Sequence, residues 1–228
     1  MNAPARLPDE AGLSLSALVA SRICHDLISP VGAIGNGMEL LALAADGGEE
    51  ERALISDCAE TAKVTLEFVR IAFGARAAEE TTNLTEVKAL AARYFALRKT
   101  ELDWRALDGA DVTYGDAKLL LLLALAGGGA MPFGGLMVLT EATAGPPARY
   151  AWRLSASRIA QRDRAVDLLS ERPTLGGATP GEAHLLLLWM AAEARGMRPV
   201  WRTIDEADQG ADGPDPLHFG GEIACEPA

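Results

Sequence analysis

Cysteine is scarce in this chain: Cys24, Cys58 and Cys225 are the only three in 228 residues. They are scattered and odd in number, and no CxxC or Cys/His ligand spacing joins them. That argues against a zinc centre or a disulfide framework. The expected role of all three is that of small buried hydrophobes in a reducing compartment. Basic charge is also short: 21 Lys and Arg face 32 Asp and Glu, for a net charge of −11. A nucleic-acid partner needs the opposite balance, and so does an anionic membrane surface. Arg22, Arg70 and Arg76 could still form a local docking patch. The longest unbroken apolar run, Leu119 to Ala126, falls well below the roughly 20 residues that cross a bilayer. The opening MNAPARLPDE holds no apolar core of a signal peptide. The expectation is a cytoplasmic protein. Phosphate loops are missing too. Gly127-Gly128-Gly129 and Gly134-Gly135 lack the strand and the Lys-Ser/Thr context, and they read as tight turns. Gly176-Gly177 reads as a loop.

Against these absences stands one informative segment, Ser21-Arg22-Ile23-Cys24-His25-Asp26-Leu27-Ile28-Ser29-Pro30. Apolar residues at Leu15, Leu18, Val19, Ile23, Leu27, Val31, Ile34, Met38 and Leu41 recur at spacings of three and four, the period of a helix. On such a helix His25 and Ser29 lie one turn apart on one face. Ser21, Arg22, Gly32 and Asn36 fall on or beside that face, while Ile23 and Leu27 point nearly the other way. Ser29 and Gly32 leave little bulk beside the imidazole, so a folded partner could reach it. Taken alone, a helical histidine is an ordinary surface or capping residue.

Helix one is expected from Leu13 to Ala45, with Pro30 kinking it. Asp46-Gly47-Gly48 makes a turn. Helix two follows from Glu49 to Arg76, its acidic start suiting the helix dipole. Its apolar stripe is Leu54, Ile55, Cys58, Ala62, Leu66, Val69 and Phe73. Such a hairpin cannot bury both stripes alone. Two hairpins paired across a twofold axis would form a four-helix bundle; the alternative is packing on the rest of the same chain. Residues 1–11 form a frayed terminus, 12–78 the hairpin, and 79–228 a second region. There Asn83 with Glu86 reads as a capping box opening a helix to Lys99. A strand (Glu101–Leu107), a buried helix (Gly115–Ala126), a β-hairpin (Leu136–Thr143, Tyr150–Ser157), helices over Arg162–Ser170 and Pro180–Arg195, and closing strands (Pro199–Ile204, Leu217–Cys225) complete an α+β chain. Thr179 caps the Pro180 helix. Asp205–Pro216 is an acidic loop. His184 reads as a satisfied structural histidine, His218 as the start of a strand, and Trp104, Trp152, Trp189 and Trp201 as core.

The run His25-Asp26-Leu27-Ile28-Ser29-Pro30 resembles the H-[DE]-x-x-[TNS]-P box of histidine-kinase dimerisation domains. The seventeen residues HDLISPVGAIGNGMELL, from His25 to Leu41, are similar to ChpT-type histidine phosphotransferases of bacterial cell-cycle signalling. The resemblance implies a homodimer whose hairpins form a four-helix bundle, followed by a degenerate sandwich like the ATPase domain of histidine kinases. The departures from a working kinase are specific. The helix Asp116 to Ala124 offers leucines where asparagines would hold magnesium, and a leucine cannot ligate a hard cation. The segment Ser157 to Arg164 has no glycine to approach a nucleotide. No bound cofactor or metal is expected on this chain.

Phosphoryl transfer needs a nucleophile, an in-line geometry and charge neutralisation. A neutral imidazole can supply the first. The resemblance implies His25 as the phosphoryl carrier and Asp26 as the group that orients its ring or takes a proton from its second nitrogen. Arg22 would contact phosphoryl oxygens, and Ser29, Gly32 and Asn36 the partner. It implies Mg2+ on the partner and not on this chain. The partners it implies are the receiver domain of a hybrid kinase as donor and CtrA-like and CpdR-like response regulators as acceptors. A receiver-binding adaptor that carries no phosphate, an ATP-dependent kinase, and a phosphatase-biased module using Ser29 are the rival readings.

Overall fold

The computed structural model describes residues 10–44, 48–104, 107, 112–143, 149–159, 169, 173–204 and 219–227. Its first two elements are α1 (Glu10–Leu43) and α2 (Glu49–Ala72). Helix α1 takes in Glu10 and Ala11, which the sequence assigned to a frayed terminus, and runs unbroken through Pro30. Gly48 turns the chain into α2 in the left-handed region, φ 64°, where a side chain is disfavoured. The helices meet closely at Gly37, where an added Cβ would sit 2.7 Å from Ile55 Cγ1. Helix α2 ends four residues before Arg76, where the second region binds carbonyls of its last turn and of the segment just after it. The Tyr114 hydroxyl donates to the Arg70 and Ile71 carbonyls at 3.0 and 3.1 Å, and Lys118 Nζ donates to the Gly74 carbonyl at 2.8 Å. Burial lowers the Lys118 pKa.

Among the described residues α3 (Leu84–Ala96), α4 (Tyr114–Gly129) and α5 (Ala183–Glu193) follow. They accompany a five-stranded mixed sheet of β1 (Thr100–Asp103), β2 (Gly135–Thr143), β3 (Arg149–Ala156), β4 (Met197–Ile204) and β5 (Phe219–Pro227). The strand order is β1-β2-β3-β5-β4. Only β1 and β2 are parallel. A parallel pair needs a crossover, and α4 supplies it. Helix α4 is apolar around nearly its whole circumference, so it must be enclosed, and Leu119 to Leu123 are all buried. Met137, Trp152, Leu154, Ile223 and Cys225 belong to the same core. Arg198 and Arg202 of β4 pair with Glu222 and Glu226 of β5. Asp116 ties two helices together: it accepts from the Thr113 amide and from Arg195 Nη2, both at 3.1 Å.

The structure corrects several expectations. The first strand stops at Asp103, short of Leu107, and α3 stops at Ala96, short of Lys99. Gly127 to Gly129 do not end α4 but form its last turn. Close packing accounts for the first two: a Cβ on Gly127 would lie 3.0 Å from Met137 Sδ, and one on Gly128 3.0 Å from the Phe95 ring. Gly134, at φ 80°, makes the turn instead. The segment Pro180–Glu182 is a 3-10 turn leading into α5. Cys24 is exposed and Cys58 only partly covered, so Cys225 alone fits the expected buried role. Trp189 and Trp201 are half-buried, unlike Trp104 and Trp152. The Ala144-Gly145-Pro146-Pro147 turn, the Asp205–Pro216 loop, His218 and most of the Arg162–Ser170 helix lie outside the described residues.

The two hairpin helices differ in how they are covered. Helix α2 buries Ala62, Val64, Thr65, Phe68, Val69 and Ala72, and Phe68 stacks on Tyr94 of α3 with ring centroids 3.7 Å apart. In α1 only Pro30 and Gly37 are buried. Leu13, Ile28, Val31 and Met38 of α1 and Leu54 and Leu66 of α2 are exposed. One helix among the described residues, α1, is long and apolar enough by length and composition to cross a membrane.

Candidate functional site

His25 stands in the middle of α1 with its side chain 81% exposed. Its Nδ1 lies 3.3 Å from Asp26 Oδ1. The other carboxylate oxygen, Oδ2, accepts from Arg22 Nε at 2.9 Å, one turn back on the helix. Arg22 Nη1 also donates to the backbone carbonyl of Gly181 at 3.1 Å. Thus Arg22 and Asp26, with side chains 21% and 10% exposed, form a part-covered pair under the Pro180–Glu182 turn, and the imidazole projects beyond it. An acceptor-only carboxylate at Nδ1 places the ring proton there and leaves the Nε2 lone pair free. The 3.3 Å separation is longer than a charge-assisted bond, and contacts of this kind tighten when a reaction partner docks.

Ser29, Gly32 and Asn36 are exposed, as the helical spacing predicts. Nothing lies within 4 Å of where a Gly32 Cβ would be, so the chain's own packing does not demand glycine there. Sequence reasoning missed Gly181 and did not connect His184, read as a structural histidine, with this site. The Thr179–Glu182 capping signal located their turn, but no local pattern brings residue 181 to residue 22. Arg22, Arg98, His184, Phe95 and Gly181 help line a cavity of about 300 Å³ between α1 and the second region. The buried Nδ1 of His184 makes no hydrogen bond of ordinary geometry.

Burial, reinforced by the Arg22 guanidinium, lowers the His184 pKa to about 4; the Gly181 backbone, Asp26 and Glu182 pull upward less strongly. The unfolded chain therefore takes up a proton at this residue near pH 6.5 that the folded chain refuses until about pH 4. The stability it contributes is full above pH 6.5 and is lost as pH falls toward 4. Urea unfolding is expected to show about 2 kcal/mol lost between pH 7 and pH 5 from this group. His184→Gln should remove that part of the slope. An unchanged slope in the variant would show that the histidine is protonated freely in the folded state.

Among the described residues no three His, Cys, Asp or Glu side chains gather as a metal site. With this geometry in view, sequence and structure comparisons converge. The family described as histidine phosphotransferase C-terminal domain matches residues 84–207, more than half of the chain. This chain belongs to that family. The protein phosphotransferase ChpT of Brucella abortus (strain 2308) is 44% identical over 134 residues, covering 57% of this chain. The match spans 61% of that relative's length. A solved bacterial phosphotransferase, determined at 1.7 Å, superposes with a TM-score of 0.76 at 29% identity, covering 99% of this chain and 100% of its own. The Acinetobacter baumannii histidine kinase AdeS aligns more distantly, at 14% identity and a TM-score of 0.41, over 89% of this chain and 97% of its own. The family match falls wholly within the second region and leaves α1 and α2 outside it.

Proposed function

We propose that this chain relays a phosphoryl group between receiver-domain aspartates, carrying it on His25. The observation that carries the reading is the exposed imidazole whose Nδ1 faces Asp26 and whose Nε2 is free. In the first step the Nε2 lone pair attacks the phosphorus of a receiver aspartyl phosphate. An N–P bond forms, the P–O bond breaks, and the receiver carboxylate leaves with the electron pair. Asp26 stabilises the positive charge that develops on the ring through the Nδ1 proton. In the second step the carboxylate of another receiver attacks phosphorus, the N–P bond breaks, and Nε2 regains its lone pair. The Mg2+ that neutralises the moving group belongs to the receiver. Ser29, Gly32 and Asn36 form the low surface on which the receiver seats. By the resemblance of the His25–Leu41 run, the donor we propose is a hybrid kinase and the acceptors response regulators of the CtrA-like and CpdR-like kinds.

The hairpin, residues 12–78, serves as the dimerisation and phosphotransfer unit, and 79–228 as a docking sandwich without nucleotide. A second copy would cover the exposed apolar face of α1. A bilayer suits that face less well, because Arg22 and Asp26 form an ion pair that ties α1 to the folded second region; this favours a cytoplasmic protein. Val31 and Met38, one heptad apart on the face, are 55% and 54% exposed. The double substitution Val31→Glu/Met38→Glu is expected to turn a dimer into a monomer by light scattering. Its effect on the fold of each subunit should be within about 0.5 kcal/mol. A wild-type chain already monomeric at high micromolar concentration would sink the dimer.

Incubation with a radiolabelled phospho-receiver, without ATP, tests the relay. Acid-labile, base-stable label mapping to the His25 peptide is the expected result. An unlabelled chain that nonetheless binds the receiver would favour the adaptor reading.

A further inference from the structure

We propose that Arg22 is a positioning residue: anchored on the Gly181 carbonyl of the second region, it fixes the Asp26 carboxylate and through it the His25 ring. The inference rests on His25 being the phosphoryl carrier, and it gives Arg22 a different task from the phosphoryl contact suggested by sequence.

Neighbours on a helix do not share a face. An aspartate one residue after a histidine therefore reaches the ring only in selected rotamers, and nothing local selects them. In this structure something distant does. The Arg22 guanidinium is held at two points, Nε on Asp26 Oδ2 at 2.9 Å and Nη1 on the Gly181 carbonyl at 3.1 Å. A planar fork pinned at two points has little freedom left. It holds Oδ2 on one side, so Oδ1 faces Nδ1 of His25. The carbonyl is itself a fixed anchor. Pro180 restricts its turn, the Glu182 carboxylate accepts from the Thr179 amide at 2.7 Å, and the Glu182 amide donates to the Thr179 carbonyl at 2.9 Å. His184, which follows this turn, helps line the cavity beside Arg22. The anchored pair is part-covered while the imidazole is exposed, so the rigid part of the site is the part away from the incoming receiver. In this way residues 159 positions apart in the chain act as one device, and the second region sets the tautomer of a histidine it does not touch.

The test reads the ring directly. In the full chain labelled with 15N-histidine, the His25 nitrogen shifts should report chiefly the Nδ1–H tautomer. Arg22→Ala should move them toward the Nε2–H form that an unconstrained imidazole favours. Transfer from a phospho-receiver should slow on the order of 10- to 100-fold, the scale of a misplaced reacting group. Arg22→Lys can reach Asp26 or Gly181 but not both, and it should restore only part of the loss. It also guards against a folding defect in the alanine variant. Arg22→Ala/Asp26→Asn should be no slower than Asp26→Asn alone, because the two residues act in series. An unchanged tautomer in Arg22→Ala would overturn the proposal. So would a double variant slowed by the product of the single effects, because Arg22 would then act independently. Failure of the relay itself would look different: no label on the wild-type chain, whatever the tautomer.

Discussion

Alanine at position 25 is expected to bring phosphoryl label on this chain to background, a fall on the order of 10³-fold or more, as when a nucleophile is removed. A carboxylate such as Asp26 would give a label with the opposite acid and base stability, and a label on His184, whose Nδ1 is closed off from solvent, would map to a different peptide. The side chain removed is 81% exposed, so folding stability should change by less than about 0.5 kcal/mol. Affinity for an unphosphorylated receiver should change little, because the surrounding surface of Ser29, Gly32 and Asn36 stays in place. The measurements are label transfer, urea unfolding and receiver binding on the same preparations. Label that persists in His25→Ala would move the chemistry elsewhere. Loss of binding along with label would make His25 a docking residue.

Phe68→Ala is expected to cost about 3–5 kcal/mol, the range for emptying a fully buried aromatic site. Phe68 is 0% exposed. Its ring stacks on Tyr94 at 3.7 Å and meets Phe95 edge-on at 5.8 Å. All three rings lie where α2 joins α3, so the loss falls on the seam between hairpin and sandwich. Urea unfolding with a linear extrapolation should show a lower midpoint with little change in slope. Phe68→Leu should lose less, since it keeps apolar contact and forfeits mainly the stacking. A lower slope in Phe68→Ala would mean that hairpin and sandwich no longer unfold as one unit. Phe95 also lines the cavity beside Arg22 and Gly181, so a loosened Phe68 site should also slow transfer, by freeing the Asp26 carboxylate and the His25 ring.

Much of this molecule is written in local patterns. The three-and-four spacing from Leu15 to Leu41 specifies α1, and the acidic start at Glu49 begins α2. Asn83 with Glu86 opens α3, where Asn83 Oδ1 accepts from the Thr85 and Glu86 amides. Both strands of the β-hairpin are readable to within a residue. These features are legible because their physics is short-ranged: helix period, caps and pleat need only neighbours. The exposed face of His25, Ser29, Gly32 and Asn36 was legible for the same reason. Element ends were harder. Helix α2 stops at Ala72, where Tyr114, more than forty residues away, binds carbonyls of its last turn and Lys118 binds the Gly74 carbonyl just beyond it, and Gly127 and Gly128 sit where Met137 and Phe95 leave no room for a side chain.

The sequence by itself determined the helical hairpin, the apolar crossover helix and the place of His25 on its helix, since each follows from spacing along the chain. Only the tertiary structure decided that α2 is packed into the sandwich while α1 is left largely bare. It also decided that Arg22 faces Asp26 and Gly181, and that His184 lies half-buried beside them. Those outcomes depend on which distant surfaces meet, and contacts between residues far apart in a chain leave no period for a sequence to show.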